Sequence, residues 1–128
     1  MYEKRLGSAR AARSNPFRTL LDSGLLVGGG SDSYVTRMDS LLGIHSAVNR
    51  PNPGEQLDVF DAVSLFTRNA ARLSFDEARR GTLEVGKEAS FTVLADDPFE
   101  VDPSAIEGIE VVALYRRGEE VVAGKNAS

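Results

Sequence analysis

A short glycine-rich stretch, GGGSDS at residues 28–33, carries one carboxylate, Asp32, between two serines and directly follows an apolar run at 25–27. Three kinds of chemistry are open to it. The glycine amides can bind a phosphate, Asp32 can cap the next helix, or Asp32 can hold a metal ion or a proton at the rim of an active site. The stretch has no Walker lysine and does not match G-x-G-x-x-G. By residue type alone, Asp32 is favoured as a turn or capping residue, because aspartate hydrogen-bonds its own backbone.

Few other side chains offer chemistry. His45 is the only histidine, and its spacing from Leu41 and Val48 puts it on the apolar side of a predicted helix, so we expect it to be packed there. The chain offers no His-x-His pair, no serine–histidine–acid set and no cysteine. A disulfide scaffold, a zinc finger and a thiol nucleophile are therefore excluded. The acidic pair Asp96-Asp97 precedes a proline, which is typical of a turn.

Composition and charge restrict the class of protein. The length of 128 residues fits one ordinary domain. The net charge of −4 combines a basic segment at 1–18 with an acidic one at 84–110. The basic residues have the spacing of a solvated helix face, so we expect no nucleic-acid partner. No apolar run is long enough for a membrane span, and no apolar centre of a secretory signal is seen near Met1. We therefore expect a cytoplasmic protein with no membrane partner.

Helix signals dominate the first 80 residues. Periodicity predicts a two-piece helix over 9–23, a buried strand over 25–29, and helices over 38–49 and 58–71. Asn15 is expected to cap the second piece of the first helix and Gly24 to end it. Asp39 or Ser40 should cap the second helix, and Asp58 the third. Helix, glycine, buried strand and helix in this order predict an α/β fold.

Strand signals dominate from Gly81 onward. The runs 89–95 and 109–116 predict two strands, and Arg117-Gly118-Glu119 predicts a hairpin turn into a third. Helices come first and strands last, so we predict two segments, residues 1–80 and residues 81–128.

Three stretches, in this order and spacing, resemble the C-terminal portion of the amidohydrolase superfamily. They are NPFRTLLDSGLLVGGGSDS, DSLLGIHSAVNRPNPGEQLDVFDAVSLFTRNAA and GTLEVGKEASFTVLADDPF. The branch they resemble most includes N-substituted formamide deformylases. The resemblance extends from about residue 5 to about residue 124, and it includes the glycine stretch with Asp32, the helix that ends in Asn69-Ala70-Ala71, and a Gly-x-Leu-x-x-Gly-Lys turn.

This resemblance implies a fold and a chemistry. Enzymes of the superfamily are metal-dependent hydrolases built as a (β/α)₈ barrel with a small β-sandwich. Residues 1–80 would be the last strand and helices of such a barrel, incomplete on their own, and residues 81–128 would supply strands of the composite sandwich. The implied reaction is hydrolysis of C–N bonds in small amide-type molecules, with a divalent metal, zinc by expectation, in the full-length parent. Asp32 matches the aspartate after the eighth strand, which implies roles as metal ligand and catalytic base.

Asp32 has none of the other expected metal ligands beside it in the sequence. The resemblance therefore implies the last quarter of a hydrolase, produced by truncation, by a wrongly assigned start or as the remnant of a gene. We expect the chain alone to hold no catalytic metal and to be inactive. Its expected partners are the missing N-terminal part of the hydrolase or a second copy of itself. The alternative functions are a non-catalytic interaction module or one half of a split enzyme, and anion binding by the Gly28–Gly30 amides is a third.

Overall fold

The computed structural model describes residues 2–121. Met1 and residues 122–128, the outer ends of the two predicted segments, lie outside this range. Within it the helices are α1 (Tyr2–Leu6), α2 (Ser8–Ala12), α3 (Phe17–Asp22), α4 (Ser40–Val48), α5 (Val59–Phe66) and α6 (Arg68–Leu73). Short 3-10 turns occupy Pro53–Glu55 and Pro103–Gly108, and the strands are β1 (Phe91–Leu94), β2 (Val111–Arg116) and β3 (Glu119–Val121). Among these described helices, none is long and apolar enough to cross a membrane.

The three strands form an antiparallel sheet in the order β1-β2-β3. Phe91 pairs with Tyr115 across β1 and β2, and their rings stack with centroids 4.7 Å apart. Cross-strand aromatic pairs of this kind stabilise a sheet register. Arg117 and Gly118 join β2 to β3 with φ of 55° and 83°, the left-handed pair that a tight hairpin favours. Both predicted strands and the hairpin after them are confirmed.

Side-chain caps set where α4 and α5 begin. Asp39 accepts a hydrogen bond from the Leu42 amide at 3.1 Å, and Asp58 accepts one from the Asp61 amide at 2.7 Å. Each bond satisfies one of the amides that a helix leaves unpaired in its first turn. The capping roles predicted for Asp39 and Asp58 are therefore confirmed.

The helix predicted over 58–71 is interrupted near its middle. Thr67 has φ of −120° and ψ of −100°, outside the helical region, so α5 ends at Phe66 and α6 begins at Arg68. The last carbonyl groups of α5 consequently lack partners within their own helix. These groups can accept hydrogen bonds from another part of the chain.

The helix predicted over 9–23 is present as two pieces, α2 and α3. Gly24 ends α3 with φ of 80°. Its amide donates to the Leu21 carbonyl at 2.9 Å, and the Leu25 amide donates to the Leu20 carbonyl at 3.2 Å. This pair of bonds is the Schellman arrangement, and it confirms the predicted stop at Gly24.

The start of α3 differs from the prediction that Asn15 caps it. Pro16 occupies the N-cap position, and α3 has no side-chain cap. Asn15 has φ of 51°, and its carbonyl accepts a hydrogen bond from the Phe17 amide at 2.9 Å. A main-chain turn therefore takes the place of the cap, because Asn15 adopts the left-handed conformation that asparagine tolerates.

The strand predicted over 25–29 is not formed. Residues 25–30 have no regular secondary structure, and Leu25 and Leu26 are 57% and 39% exposed. A buried strand needs a neighbouring strand for its backbone hydrogen bonds. Here the Gly29 amide instead donates to the Leu65 carbonyl of α5 at 2.9 Å. The segment therefore contacts α5 through Gly29, while the side chains of Leu25 and Leu26 stay partly exposed.

The core lies between α4, α5 and the 3-10 turn Pro103–Gly108. Ile106 of that turn and Ala62 of α5 are completely buried. They pack with four other buried side chains, Ile44, Ala47, Leu57 and Leu65. Burial of one side chain such as isoleucine stabilises a fold by roughly 1.5–3 kcal/mol. The 3-10 turn therefore contributes its one buried isoleucine to a core otherwise built by residues 44–65.

Polar contacts attach α3 to this core. Glu55 is only 9% exposed and accepts hydrogen bonds from both the hydroxyl and the amide of Thr19. These two bonds hold the pKa of the Glu55 carboxyl below its usual range. Arg18 forms ion pairs with Asp61 at 2.9 Å and Asp58 at 3.6 Å, in the first turn of α5.

We predict that Glu55→Gln weakens the acid dependence of stability. Because the pKa of Glu55 is lower in the folded protein than in the unfolded chain, its bonds stabilise the fold above the unfolded value of about 4.3. That contribution is lost as the pH falls through the folded value. The variant should therefore be less stable at pH 7 and should lose less stability between pH 5 and pH 3, roughly the range of this titration. Urea unfolding at these pH values measures both effects, and an unchanged acid dependence would contradict the assignment.

Candidate functional site

The segment before Asp32 is held against the junction of α5 and α6. The Gly29 amide donates to the Leu65 carbonyl at 2.9 Å, and the Asn69 side-chain amide donates to the Val27 carbonyl at 3.0 Å. The interruption at Thr67 makes this possible, because it leaves the Leu65 carbonyl near the end of α5. The junction therefore satisfies backbone groups that a neighbouring strand would otherwise pair.

Phe66 explains why glycines are needed here. Its ring lies so close to Gly29 and Gly43 that an added Cβ would come within 2.4 Å and 2.3 Å of the ring, respectively. A Cβ on Gly28 would come within 2.5 Å of Leu73. The glycines thus allow a close approach of backbone to side chain. The alternative of anion binding by these amides is weakened, because the Gly29 amide already has a partner.

Asp32 lies in an exposed turn after the glycine segment. It has φ of 48°, and its carbonyl accepts a hydrogen bond from the Val35 amide at 2.8 Å. Aspartate is one of the few residues besides glycine that adopts this conformation readily. Among the contacts within residues 2–121, its carboxylate has no hydrogen bond and no ion pair. The predicted turn role is confirmed, and the capping role is wrong, because Asp39 caps α4. The metal-binding and catalytic roles stay predictions.

His45 lies where α4 meets the turn Pro103–Gly108. Its Nδ1 atom is 3.2 Å from the Asn49 side-chain nitrogen, and its Nε2 atom is 3.9 Å from a Glu107 carboxylate oxygen. Asn49 also donates to the Pro103 carbonyl at 2.9 Å. The expected packing of His45 on the same side as Leu41 and Val48, which pack against the core, is present, and its ring nitrogens face Asn49 and Glu107. The helix face that bears His45 meets a turn that presents carbonyl and carboxylate groups.

The carboxylates of the described residues do not converge on a metal site. No group of three histidine, cysteine, aspartate or glutamate side chains within this part of the chain has an arrangement that could hold a metal ion. Asp97 accepts a hydrogen bond from the Phe99 amide at 2.9 Å, which is turn chemistry as predicted for Asp96-Asp97. A metal at Asp32 would therefore need further ligands from outside the described residues.

A cavity of about 510 Å³ opens beside the glycine segment and the start of α4. Gly29, Gly30, Met38 and Phe66 contribute to its walls. Ser31 and Thr36, at the two ends of the turn that contains Asp32, also line it, whereas Asp32 itself does not.

Sequence reasoning missed the two side chains that hold the glycine segment, Phe66 and Asn69. Asn69 appeared only as part of the motif Asn69-Ala70-Ala71, and Phe66 only as one residue of an apolar stripe. One signal was available. A buried helix position disfavours asparagine unless its side chain has a specific partner.

Comparisons with known proteins agree on one family. The sequence model named Amidohydrolase family matches residues 1–122. The chain is 36% identical over 125 residues to "Putative amidohydrolase YtcJ" of Bacillus subtilis (strain 168), covering 90% of this chain and 24% of that protein. It is 35% identical to "Protein LONG AFTER FAR-RED 3" of Arabidopsis thaliana, covering 92% of this chain and 22% of that protein. It is 27% identical to the N-substituted formamide deformylase of Arthrobacter pascens, covering 80% and 20%.

A solved structure supports the same relation. The fold is similar to part of an amidohydrolase from Thermotoga maritima MSB8, with a TM-score of 0.67 and 25% sequence identity over 82% of this chain and 26% of that one. The chain thus spans about a quarter of the length of the proteins it matches. Since the family model covers nearly the whole sequence, this chain belongs to the amidohydrolase family.

Proposed function

We propose that the chain is the C-terminal segment of a metal-dependent amidohydrolase that acts on C–N bonds of small amide-type molecules, and that Asp32 contributes one carboxylate to its active site. The observation that carries this proposal is the family match over residues 1–122, combined with coverage of only 20–24% of the curated relatives. The name of the Arthrobacter relative, a formamide deformylase, supports the substrate class.

The residues present do not fit a catalytic metal on their own. A catalytic zinc has three protein ligands as a rule, whereas Asp32 offers one carboxylate with no metal-binding side chains grouped around it in the described range. We therefore assign no reaction step to this chain alone. In the proposal, Asp32 acts only after another segment supplies the remaining ligands, in a zinc or other divalent metal site.

The contribution of Asp32 is consistent with its local structure. Of Asp32 itself, the turn uses only the backbone, whose carbonyl accepts a hydrogen bond from the Val35 amide. Its carboxylate is exposed and takes no part in a described cap, ion pair or hydrogen bond. A carboxylate without a structural partner is free to bind a metal or a proton.

Exposed apolar surface supports the proposed partners. Leu25 and Leu26, at the base of the glycine segment, are 57% and 39% exposed, and β1 and β3 each have one edge that pairs with no described strand. We propose that the N-terminal part of the hydrolase, or a second copy of this chain, covers this surface. We propose no nucleic-acid or membrane partner and a cytoplasmic location. A non-catalytic interaction module, or one half of a split enzyme, is the alternative function.

The first test concerns metal and turnover. We predict that the purified chain holds well under one equivalent of zinc, manganese or iron and does not hydrolyse formamides or N-acyl amino acids, because one carboxylate cannot form a catalytic site. Elemental analysis and product assays measure both. Adding the N-terminal part of the hydrolase should restore metal and activity, and Asp32→Asn should then remove them. Stoichiometric metal and turnover in the chain alone, lost in Asp32→Asn, would instead indicate an independent enzyme.

The second test separates function from stability at Asp32. We predict that Asp32→Asn changes the free energy of unfolding by less than about 0.5 kcal/mol, since the carboxylate has no partner and asparagine keeps the turn. The controls Asp39→Ala and Asp58→Ala remove true helix caps and should each cost about 1 kcal/mol. Urea unfolding compares the three variants. A loss at Asp32→Asn as large as in the controls would argue for a structural role.

The third test concerns assembly. We predict that the chain alone forms a dimer or a larger oligomer at micromolar concentration, because the apolar surface around Leu25 and Leu26 lacks a cover. Light scattering measures the mass, and Leu25→Ser with Leu26→Ser should shift it toward the monomer. A monomeric wild-type chain would contradict self-association and leave the N-terminal part of the hydrolase as the partner to test.

A further inference from the structure

We propose that Asn69 is a positioning residue for Asp32. Its side chain holds the Val27 carbonyl, fixes the glycine segment against α6, and thereby sets where the turn presents the carboxylate. This inference rests on the proposed function of Asp32. It assigns a role to Asn69, a side chain that takes no part in the proposed reaction itself.

The surroundings of Asn69 argue that its hydrogen bond is specific. Asn69 is 8% exposed, within a helix whose neighbouring Ala71 is also buried. A buried amide without a partner costs free energy, and asparagine is a poor helix former. Its side chain donates to Val27, 42 positions earlier in the chain, at 3.0 Å. Asn69 therefore links α6 to the glycine segment in place of a neighbouring strand.

Three consecutive residues, 27 to 29, contact side chains or backbone of α5 and α6. Asn69 holds Val27, Leu73 lies against Gly28, and the Leu65 carbonyl with the Phe66 ring holds Gly29. This set of contacts, which we call the glycine clamp, spans the α5–α6 junction.

Beyond the clamp the chain is open. A Cβ on Gly30 would meet no atom within 4 Å, and the turn at Asp32 is closed within itself, by the Val35 amide donating to the Asp32 carbonyl and the Thr36 hydroxyl donating to the Ser31 carbonyl. The glycine clamp is consequently the last anchor to the helices before the carboxylate. Loosening it should increase the motion of Asp32 without removing any contact that Asp32 makes itself.

The donor is the required feature of Asn69. An aspartate at this position would place acceptor oxygens against the Val27 carbonyl, and a leucine would leave that carbonyl unpaired. A side-chain amide of this length satisfies the carbonyl and remains neutral.

The test is amide hydrogen exchange by NMR on the intact chain. In Asn69→Ala, exchange at Gly29 should rise about tenfold, while exchange at Ala62 and Ile106 in the core should stay unchanged. Asn49→Ala is the matched control, because Asn49 also donates to a distant backbone carbonyl, that of Pro103 at 2.9 Å. The control should leave Gly29 unchanged. An unchanged Gly29 in Asn69→Ala, or equal effects of both variants at Gly29, would overturn the inference.

A second readout separates positioning from stability. The backbone order parameter of Asp32 should fall in Asn69→Ala and not in Asn49→Ala, and Asn69→Gln should restore part of it. Loosening at Gly29 with no change at Asp32 would overturn the positioning role. If Asn69→Ala does not fold, the wild-type protein provides the measurement. The Asn69 side-chain amide protons should exchange more slowly than those of the exposed Asn15, and equal rates would refute the inference.

The proposed function fails by a different result. In the enzyme assembled with its N-terminal part, Asp32→Asn should remove bound metal, and Asn69→Ala should lower kcat several-fold with little change in KM. Metal retained in Asp32→Asn would refute the proposed role of Asp32 and leave the exchange result intact. Metal lost in Asp32→Asn but an unchanged kcat in Asn69→Ala would refute only the positioning role.

Discussion

The packing of Ile106 between α4 and α5 is the contact on which the rest of this structure depends. Ile106 belongs to the 3-10 turn Pro103–Gly108, far along the chain from the helices that bury it. The Asn49 side chain adds a hydrogen bond to the Pro103 carbonyl of the same turn. Without this turn, α4 and α5 would expose the part of their apolar faces that Ile106 covers. The strand-rich part of the chain is therefore required for the helical part to have a complete core.

The position of α5 determines the candidate site in turn. Because the core fixes α5, it also fixes the Leu65 carbonyl and the Phe66 ring at the end of that helix. The Leu65 carbonyl accepts a hydrogen bond from the Gly29 amide, the Phe66 ring lies against Gly29, and the Asn69 side chain in α6 donates to the Val27 carbonyl. Asp32 follows three residues after this anchor. The core and the segment before the carboxylate are thus joined by direct contacts of α5 and α6, with no strand between them.

Elements set by local chemistry were predictable from the sequence. The caps at Asp39 and Asp58, the stop at Gly24 and the hairpin at Arg117-Gly118 each depend on residues within a few positions. The absence of the strand predicted over 25–29 was not foreseeable, since a strand forms only beside a partner strand. The pattern of apolar residues does not identify that partner. The resemblance recovered the family because it reads three motifs at once, which no single local signal does.

The backbone conformation of Asp32 is shared with residues that have structural roles. Four non-glycine residues have positive φ: Asn15, Asp32, Phe75 and Arg117, all among the described residues. This conformation alone therefore does not mark function, since Phe75 follows the end of α6 and Arg117 forms the hairpin.

What distinguishes Asp32 is the division between its backbone and its side chain. The backbone closes a turn, for which asparagine or glycine would serve equally, and the carboxylate has no described contact. The proposed chemical role of Asp32 therefore rests on the family match and on a carboxylate that the described structure leaves free of contacts, at the end of a segment held by the glycine clamp.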